Sequence, residues 1–336
     1  MKKNIASVCR SYLLIVLFVT VSSSYGQEQN TSQRVAEDDV VRVSTNLVTV
    51  PVSVMDRQGR FIPNLRAEQF QIYEDGIEQK IAYFESAEKP FTVALMLDTS
   101  DSTRFKLKDI QDAALEFVAQ LRPDDRVIVA AFDKNITVLT EATSDRRVLT
   151  SAIRQVQTGG STGLYNAIDV IIHQRLNRIR GRKAIVLFTD GVDTASQSAT
   201  YEGTLRFAQE LDSLVYPIQY DTLTDLRKQA TEMNAQIVTA KGETLSVAYA
   251  RAERYLRLMA DKTGGRFYYT GSLKRLREVF TSIAQELREQ YSIGYYPKSE
   301  GHPAERRIKV KVSAQGVVVG ARRGYIYKAA GVDEKE

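Results

Sequence analysis

Short, continuous apolar runs alternate with helical patterns through the middle of the chain, and this alternation limits the fold more than any other feature. A run with few polar positions is typical of a strand that is buried on both faces of a sheet. The predicted core strands cover residues 92–97, 127–132, 184–188, 214–220 and 266–269. Because helical patterns separate them, we predict a doubly wound, mainly parallel α/β sheet over residues 89–290.

The two flanks of this region have a different pattern, which predicts β structure. Four valines, Val48, Val50, Val52 and Val54, occupy every second position and so share one face of a strand. Further strand candidates follow at 291–296, 308–312, 317–319 and 325–327. Neither flank has enough strands for a core of its own. We therefore predict that the flanks pair as one small β-sandwich, with the α/β domain inserted between them.

Residues 222–244 are polar and show only weak periodicity, which predicts a surface excursion. The predicted segments of the chain are a signal peptide, a flexible linker, an N-terminal β segment, the α/β domain, a C-terminal β segment and a tail. They cover residues 1–26, 27–40, 41–88, 89–290, 291–328 and 329–336.

The signal peptide is predicted from a basic start, an apolar stretch at 12–21 and the small residues Ser24 and Gly26. The apolar stretch is short for a bilayer span, and an uncleaved anchor is the alternative. This interpretation places the mature protein in the periplasm or outside the cell, without a membrane span.

Composition excludes several kinds of chemistry. The one cysteine, Cys9, lies inside the predicted signal peptide, and the chain has only two histidines. Disulfides, thiol nucleophiles and cysteine-ligated zinc are thereby excluded from the mature protein. The three basic residues of 1–26 supply more than half of the net charge of +5, so overall basicity does not argue for nucleic acid. Since the chain has no phosphate-binding glycine motif linked to a strand, no nucleotide is expected.

Polar side chains with oxygen donors follow the predicted core strands. Asp98, Ser100 and Ser102 come directly after the first strand, and Asp190 comes after the third. Thr162 lies in the glycine-rich loop 159–163 before a helix. Because the carboxyl ends of parallel strands meet at one edge of the sheet, these five side chains are expected to converge. Oxygen donors of this kind favour Mg²⁺, with Mn²⁺ or Ca²⁺ as alternatives.

The order Asp-x-Ser-x-Ser, then Thr162 after two glycines, then Asp190 followed by glycine, resembles the metal-ion-dependent adhesion site of von Willebrand factor type A domains. The flanking sequences resemble a secreted bacterial subgroup of such proteins. The insertion into a β-sandwich is similar to the arrangement in integrin β chains. The resemblance implies a metal held by Asp98, Ser100, Ser102, Thr162 and Asp190, directly or through water.

One position departs from the family pattern. The family usually has glycine where this chain has Asp101. Asp101 either adopts the backbone conformation that glycine serves there, which aspartate tolerates better than most residues, or leans toward the ion and adds negative charge.

These features predict an interaction or adhesion module rather than an enzyme, in which the metal accepts a carboxylate from an acidic side chain of a protein partner. One alternative is a structural protein of the cell envelope whose metal site is purely stabilising or degenerate. The other is a metal-dependent hydrolase, for which the sequence offers neither a general base beyond the ligands nor a nucleophile–base pair.

Overall fold

The computed structural model describes residues 47–86, 89–232, 238–239, 242–298 and 304–327. The predicted signal peptide, linker and tail all lie outside the described residues.

Strands form three sheets in the described part of the chain. The first four strands are β1 Val48–Met55, β2 Phe70–Glu74, β3 Ile77–Gln79 and β4 Ile81–Glu85. The next six are β5 Phe91–Asp98, β6 Arg126–Phe132, β7 Ile136–Thr143, β8 Arg182–Thr189, β9 Leu214–Tyr220 and β10 Tyr268–Thr270. The last four are β11 Tyr291–Tyr295, β12 Ala304–Val312, β13 Val318–Ala321 and β14 Gly324–Tyr327.

Helices connect the strands of the central region. They are α1 Leu107–Gln120, α2 Arg146–Gln155, α3 Leu164–Val170, α4 Tyr201–Glu210, α5 Leu223–Glu232, α6 Leu245–Thr263 and α7 Leu273–Glu289.

The central sheet has the strand order β10-β9-β8-β5-β6-β7. All neighbouring pairs are parallel except β6 and β7, which are antiparallel at one edge. The predicted doubly wound α/β fold is thus confirmed. The fifth predicted core strand is shorter than expected and begins two residues later, at Tyr268.

Both faces of this sheet are covered, which explains the continuous apolar runs. Along β5, Val93, Leu95 and Leu97 pack on one face against α1, α2 and α7. Ala94 and Met96 point to the other face and pack against α3, α4 and α6. Side chains alternate across a strand, so a strand with helices on both sides needs apolar residues at every position.

The flanking segments pair with each other, as predicted. One sheet has the order β13-β1-β11-β4 and the other β14-β12-β2-β3, so each contains strands from both flanks. Val50 lies opposite Ile293, and Ile72 lies opposite Val310. The alternating valines of β1 are buried in the core that these two sheets share. The numerical domain boundaries of the sequence analysis stay predictions.

Buried polar contacts join the β-sandwich to the α/β domain. The Arg322 guanidinium donates to the carbonyl of Leu211, after α4, at 3.3 Å and to the carbonyl of Thr49 in β1 at 2.6 Å. The Ser53 hydroxyl of β1 donates to Glu286 Oε1 of α7 at 2.7 Å. These contacts, together with packing, hold the two parts against each other.

The predicted surface excursion contains a helix, since residues 223–232 form α5, which buries none of its residues. Helix α3 is short, because it ends at Val170 and a π-helical turn follows at Ile171–Arg175. Across the described residues, no helix combines the length and the apolar character needed to cross a membrane.

Candidate metal site

Two buried carboxylates lie at the carboxyl edge of the central sheet. Asp98 is the last residue of β5, and Asp190 directly follows β8, its parallel neighbour. Their exposed fractions are 0% and 1%. Parallel strands bring residues that are distant in sequence to one edge, and this topology explains why the two aspartates come together.

Two serines connect the two carboxylates through hydrogen bonds. The Ser100 backbone N–H donates to Asp98 Oδ1 at 3.0 Å. The hydroxyls of Ser100 and Ser102 are 3.1 Å apart, and the Ser102 hydroxyl donates to Asp190 Oδ2 at 2.7 Å. Four of the five predicted ligands are therefore joined in one hydrogen-bonded chain.

Thr162 lies on the neighbouring loop and is 4% exposed. Backbone hydrogen bonds hold the Thr162 loop against the loop that follows β5. The Asp101 N–H donates to the Gly160 carbonyl at 2.9 Å, and the Gly159 N–H donates to the Thr99 carbonyl at 2.7 Å. Within the described residues, the Thr162 hydroxyl makes no hydrogen bond with the other four predicted ligands. The structure thus brings its loop to the site and leaves its role as a ligand a prediction.

A glycine is required at position 163, where the Thr162 loop contacts the turn that follows β6. A Cβ on Gly163 would lie 2.7 Å from the backbone carbonyl oxygen of Lys134, closer than real Cβ atoms approach. The Gly163 N–H also donates to the Asp133 carbonyl at 2.6 Å. The close approach of these two backbones sets the position of the Thr162 loop.

Burial dominates the electrostatics of the site. Loss of hydration raises the pKa of Asp98 above its ordinary range, and the nearby charge of Asp190 raises it further. Hydrogen bonds from Ser100 and from the Thr189 hydroxyl, which lies 2.5 Å from Asp98 Oδ2, act in the opposite direction. Two acidic groups in a dry site repel each other, so a positive ion placed between them would relieve this repulsion.

Three hydroxyls around the aspartates were missed by the sequence analysis. Thr189 donates to Asp98, while Thr222 and Tyr249 donate to Asp190 Oδ2 at 2.8 and 3.1 Å. Thr222 follows β9, and Tyr249 lies in the first turns of α6. Thr222 could have been noticed as a polar residue after a core strand, whereas Tyr249 has an ordinary helical pattern.

Asp101 does not adopt the conformation that would explain a glycine at this position. Among the described residues other than glycine, only Asn64 and Asp75 have a positive φ. Asp101 instead begins a short 3₁₀ helix, and it is exposed. The first of the two interpretations of Asp101 is therefore wrong.

The donors present suit a small, hard cation. Two carboxylates and three hydroxyls are all oxygen ligands, which Mg²⁺, Mn²⁺ and Ca²⁺ prefer. Within the ranges that the structure describes, no three His, Cys, Asp or Glu side chains gather at one point. A metal site among the described residues consequently needs hydroxyl ligands as well as carboxylates, and this site offers both.

The fold and this site define an α/β domain with a candidate oxygen-ligand metal site at the carboxyl edge of its sheet. The family model of the von Willebrand factor type A domain matches residues 93–192. This part of the chain is therefore similar to von Willebrand factor type A domains. Domains of this family are generally interaction modules rather than enzymes, and they often bind a divalent cation.

Individual relatives are distant. A UPF0353 protein of Mycolicibacterium gilvum is 24% identical over 212 residues, which cover 58% of this chain. The chain spans 60% of the length of this relative. The same figures hold for a UPF0353 protein of Mycolicibacterium vanbaalenii.

Solved structures with a similar fold are also low in identity. A von Willebrand factor type A protein from Catenulispora acidiphila has 11% identity and a TM-score of 0.46, with 84% of this chain and 74% of that chain covered. The protein BatB from Bacteroides thetaiotaomicron has 15% identity and a TM-score of 0.43, with 58% and 98% covered.

Proposed function

We propose that this protein is a secreted, metal-dependent module for protein binding. A divalent cation, Mg²⁺ in the first place, would be held by Asp98, Ser100, Ser102, Thr162 and Asp190. The cation would then accept a carboxylate oxygen from an acidic side chain of a protein partner. Neither nucleic acid nor nucleotide takes part.

The observation that carries this proposal is the buried pair of Asp98 and Asp190. Both carboxylates are almost fully removed from water, and the hydroxyl of Ser102 donates to Asp190. Two carboxylates neutralise a divalent ion without giving it excess negative charge, so the ion still attracts an anionic ligand. A site of four carboxylates would repel that ligand.

The exposed residues beside the site indicate where a partner would approach. Asp98, Ser100, Thr162 and Asp190 are buried, whereas Ser102 is half-buried and both Asp101 and Ser161 are exposed. A partner carboxylate would therefore enter beside Ser102. Asp101 adds a negative charge near this entrance, which disfavours partners with additional acidic residues at that point.

Calorimetric titration of residues 27–336 with Mg²⁺, Mn²⁺ and Ca²⁺ tests the metal site. We expect saturable binding by the wild type and none by Asp98→Ala/Asp190→Ala. The control Asp124→Ala/Asp169→Ala also removes two aspartates, both outside the site, and should bind as the wild type does. Binding that survives in the first variant would show that the ion is held elsewhere.

A structural role is the second candidate, and one observation favours it. Thr189, Thr222 and Tyr249 already donate hydrogen bonds to the two carboxylates, so the loops are held together by the protein itself. In this case an added cation would raise the melting temperature without binding a carboxylate.

Proton relaxation of water around bound Mn²⁺ separates the two candidates. If the bound Mn²⁺ keeps a water molecule at the position that a partner carboxylate would take, acetate should displace this water. The enhancement of the water proton relaxation rate should then decrease. An enhancement that acetate leaves unchanged would favour the structural role.

A further inference from the structure

A large cleft lies between the β-sandwich and the end of α6, away from the candidate metal site. Its volume is about 1130 Å³. Strand β12 forms one wall with Glu305, Arg307, Lys309 and Lys311, while Asp261 and Lys262 of α6 line another part. Sites for small molecules usually measure ~300–1,000 Å³, so this cleft has room for a segment of a polymer.

The strand period places the basic residues of β12 in a row. Ile308 is buried in the sandwich core, and Val310 packs against that core. Side chains alternate across a strand, so Arg307, Lys309 and Lys311 share the opposite, exposed face. Alternate residues on a strand are ~6.6 Å apart, so the row carries positive charges at this repeat.

These charges lack counter-ions in the part of the chain that the structure describes. Within the described ranges, the side chains of Lys262, Arg307, Lys309 and Lys311 form no ion pair with a carboxylate. Lys311 lies over the ring of Tyr73, with its Nζ 4.6 Å from the ring centroid. The cleft therefore has several cations that an anionic ligand would neutralise.

The acidic residues of the cleft already have partners. Asp75 pairs with Arg306 at 3.3 Å, and Asp261 pairs with Arg323 at 3.3 Å. Glu305 accepts a hydrogen bond from Gln209 Nε2 at 2.9 Å. These three residues still carry negative charge, so they would repel a ligand that is anionic along its whole length.

We propose that this cleft binds an extended acidic peptide segment, with Asp or Glu at alternate positions. Such a segment repeats its carboxylates every ~6.6 Å, which matches the spacing of the basic residues along β12. Glu305 lies on the same face of β12 as the three basic residues, so the carboxylates of the segment would face Arg307, Lys309 and Lys311, and an uncharged end of the segment would lie beside Glu305. A uniformly charged polymer, such as a nucleic acid or a sulfated glycan, lacks this uncharged end.

This cleft is separate from the candidate metal site. Tyr249 touches Asp190 at one end of α6, and Lys262 lies 13 residues farther along the same helix. With a rise of 1.5 Å per residue, the two points are ~20 Å apart along the helix axis. Peptide binding at the cleft is therefore expected to be independent of metal.

Fluorescence anisotropy with a labelled peptide tests this proposal on the full chain. The probe is a peptide of about eight residues with alternating Glu and Ser and with both ends blocked, so that it spans ~26 Å when extended. We expect saturable binding in the presence of a chelator, and binding that weakens between about 50 and 500 mM NaCl because salt screens exposed charges.

Charge reversal locates the binding surface. The variant Lys309→Glu/Lys311→Glu should raise the Kd by about tenfold or more, because two attractions become repulsions. The control Lys80→Glu/Lys228→Glu changes the net charge equally at exposed lysines outside the cleft and should bind as the wild type does. Circular dichroism checks that both variants are folded.

Three outcomes would overturn the proposal. The first is no saturable binding of the alternating peptide. The second is equal weakening by the two double variants, which would indicate attraction to overall charge only. The third is tighter binding of heparin or of a single-stranded oligonucleotide than of the peptide, which would assign the cleft to a uniform polyanion. Binding that persists in Asp98→Ala supports independence from the metal site.

Discussion

The Asp190 carboxylate accepts hydrogen bonds from the hydroxyls of three residues that are far apart in the sequence. Ser102, Thr222 and Tyr249 all donate to Oδ2, at 2.7, 2.8 and 3.1 Å. The hydroxyls of Thr222 and Tyr249 also lie against each other, so one of the two shares its single hydrogen between this contact and Asp190. A buried carboxylate needs such donors, because burial deprives it of the water that would otherwise solvate it.

Removal of one donor should destabilise the protein. In Tyr249→Phe, the buried carboxylate loses a hydrogen bond to a charged group, which contributes ~1.5–3 kcal/mol to the free energy of unfolding. We expect a loss of this size in urea denaturation with a chelator present. Tyr296→Phe, at a residue 51% exposed, is the control and should leave the urea midpoint unchanged. Equal midpoints for Tyr249→Phe and the wild type would contradict this role of the hydroxyl.

At the scale of elements, helix α7 is joined to strand β1 by a buried acidic residue. Glu286 is 2% exposed and accepts a hydrogen bond from Ser53, while its Oε2 lies 3.8 Å from Arg266 Nη2. Burial raises the pKa of Glu286 above its ordinary value more than the nearby Arg266 and the hydrogen bond from Ser53 lower it. The α7–β1 contact is consequently sensitive to pH.

The sign of this sensitivity follows from the raised pKa. The folded protein keeps the Glu286 proton to a higher pH than the unfolded chain, so the stability contributed by this proton is complete below the ordinary glutamate pKa of about 4.3. It is lost as the pH rises from there through the raised pKa of the folded state. Ionisation of Glu286 thus weakens the attachment of α7.

The variant Glu286→Gln should remove this part of the pH dependence. We expect its stability to be close to that of the wild type at pH ~4 and greater at pH ~8, because glutamine keeps the acceptor for Ser53 without a titrating charge. Urea denaturation across this pH range measures the difference. Glu278→Gln, on an exposed part of the same helix, should follow the wild-type curve. A stability difference between Glu286→Gln and the wild type that is the same at every pH would show that Glu286 does not cause the pH dependence.

At the scale of the whole molecule, the sandwich and the α/β domain share a buried guanidinium. Arg322 is 4% exposed and donates to carbonyls at the end of α4 and in β1. Loss of hydration lowers the pKa of Arg322. The backbones of Gly264 and Arg322 also approach closely, since a Cβ on Gly264 would lie 2.3 Å from the backbone nitrogen of Arg322. This contact is expected to make the two parts unfold together.

Replacement of this side chain tests that coupling. Arg322→Met should lower the free energy of unfolding by about 2–4 kcal/mol, because buried carbonyls of both parts lose a charged donor. The neighbouring variant Arg323→Met, whose side chain is 81% exposed, should cost less than about 1 kcal/mol. Circular dichroism and tyrosine fluorescence should report one shared urea transition in the wild type. Two separate wild-type transitions would show that the parts unfold independently.

Much of the architecture could be predicted because the decisive signals are local. The run from Thr92 to Leu97 predicts a strand buried on both faces, since each position is judged by its own polarity. The alternating valines of β1 likewise predict one buried face and imply a partner sheet. Asp98 and Asp190 were predicted to meet because parallel strands always bring their carboxyl ends to one edge.

Contacts between distant segments required the tertiary structure. Tyr249 is 59 residues from Asp190, and nothing in its own helix distinguishes it from a core tyrosine. Lys262 joins the basic row of β12 only because the sandwich docks against the end of α6. By itself, the sequence determined which strands are buried, their order along the chain, and which oxygen donors follow them. Only the tertiary structure decided which side chains surround those donors, because that depends on how separately formed layers pack.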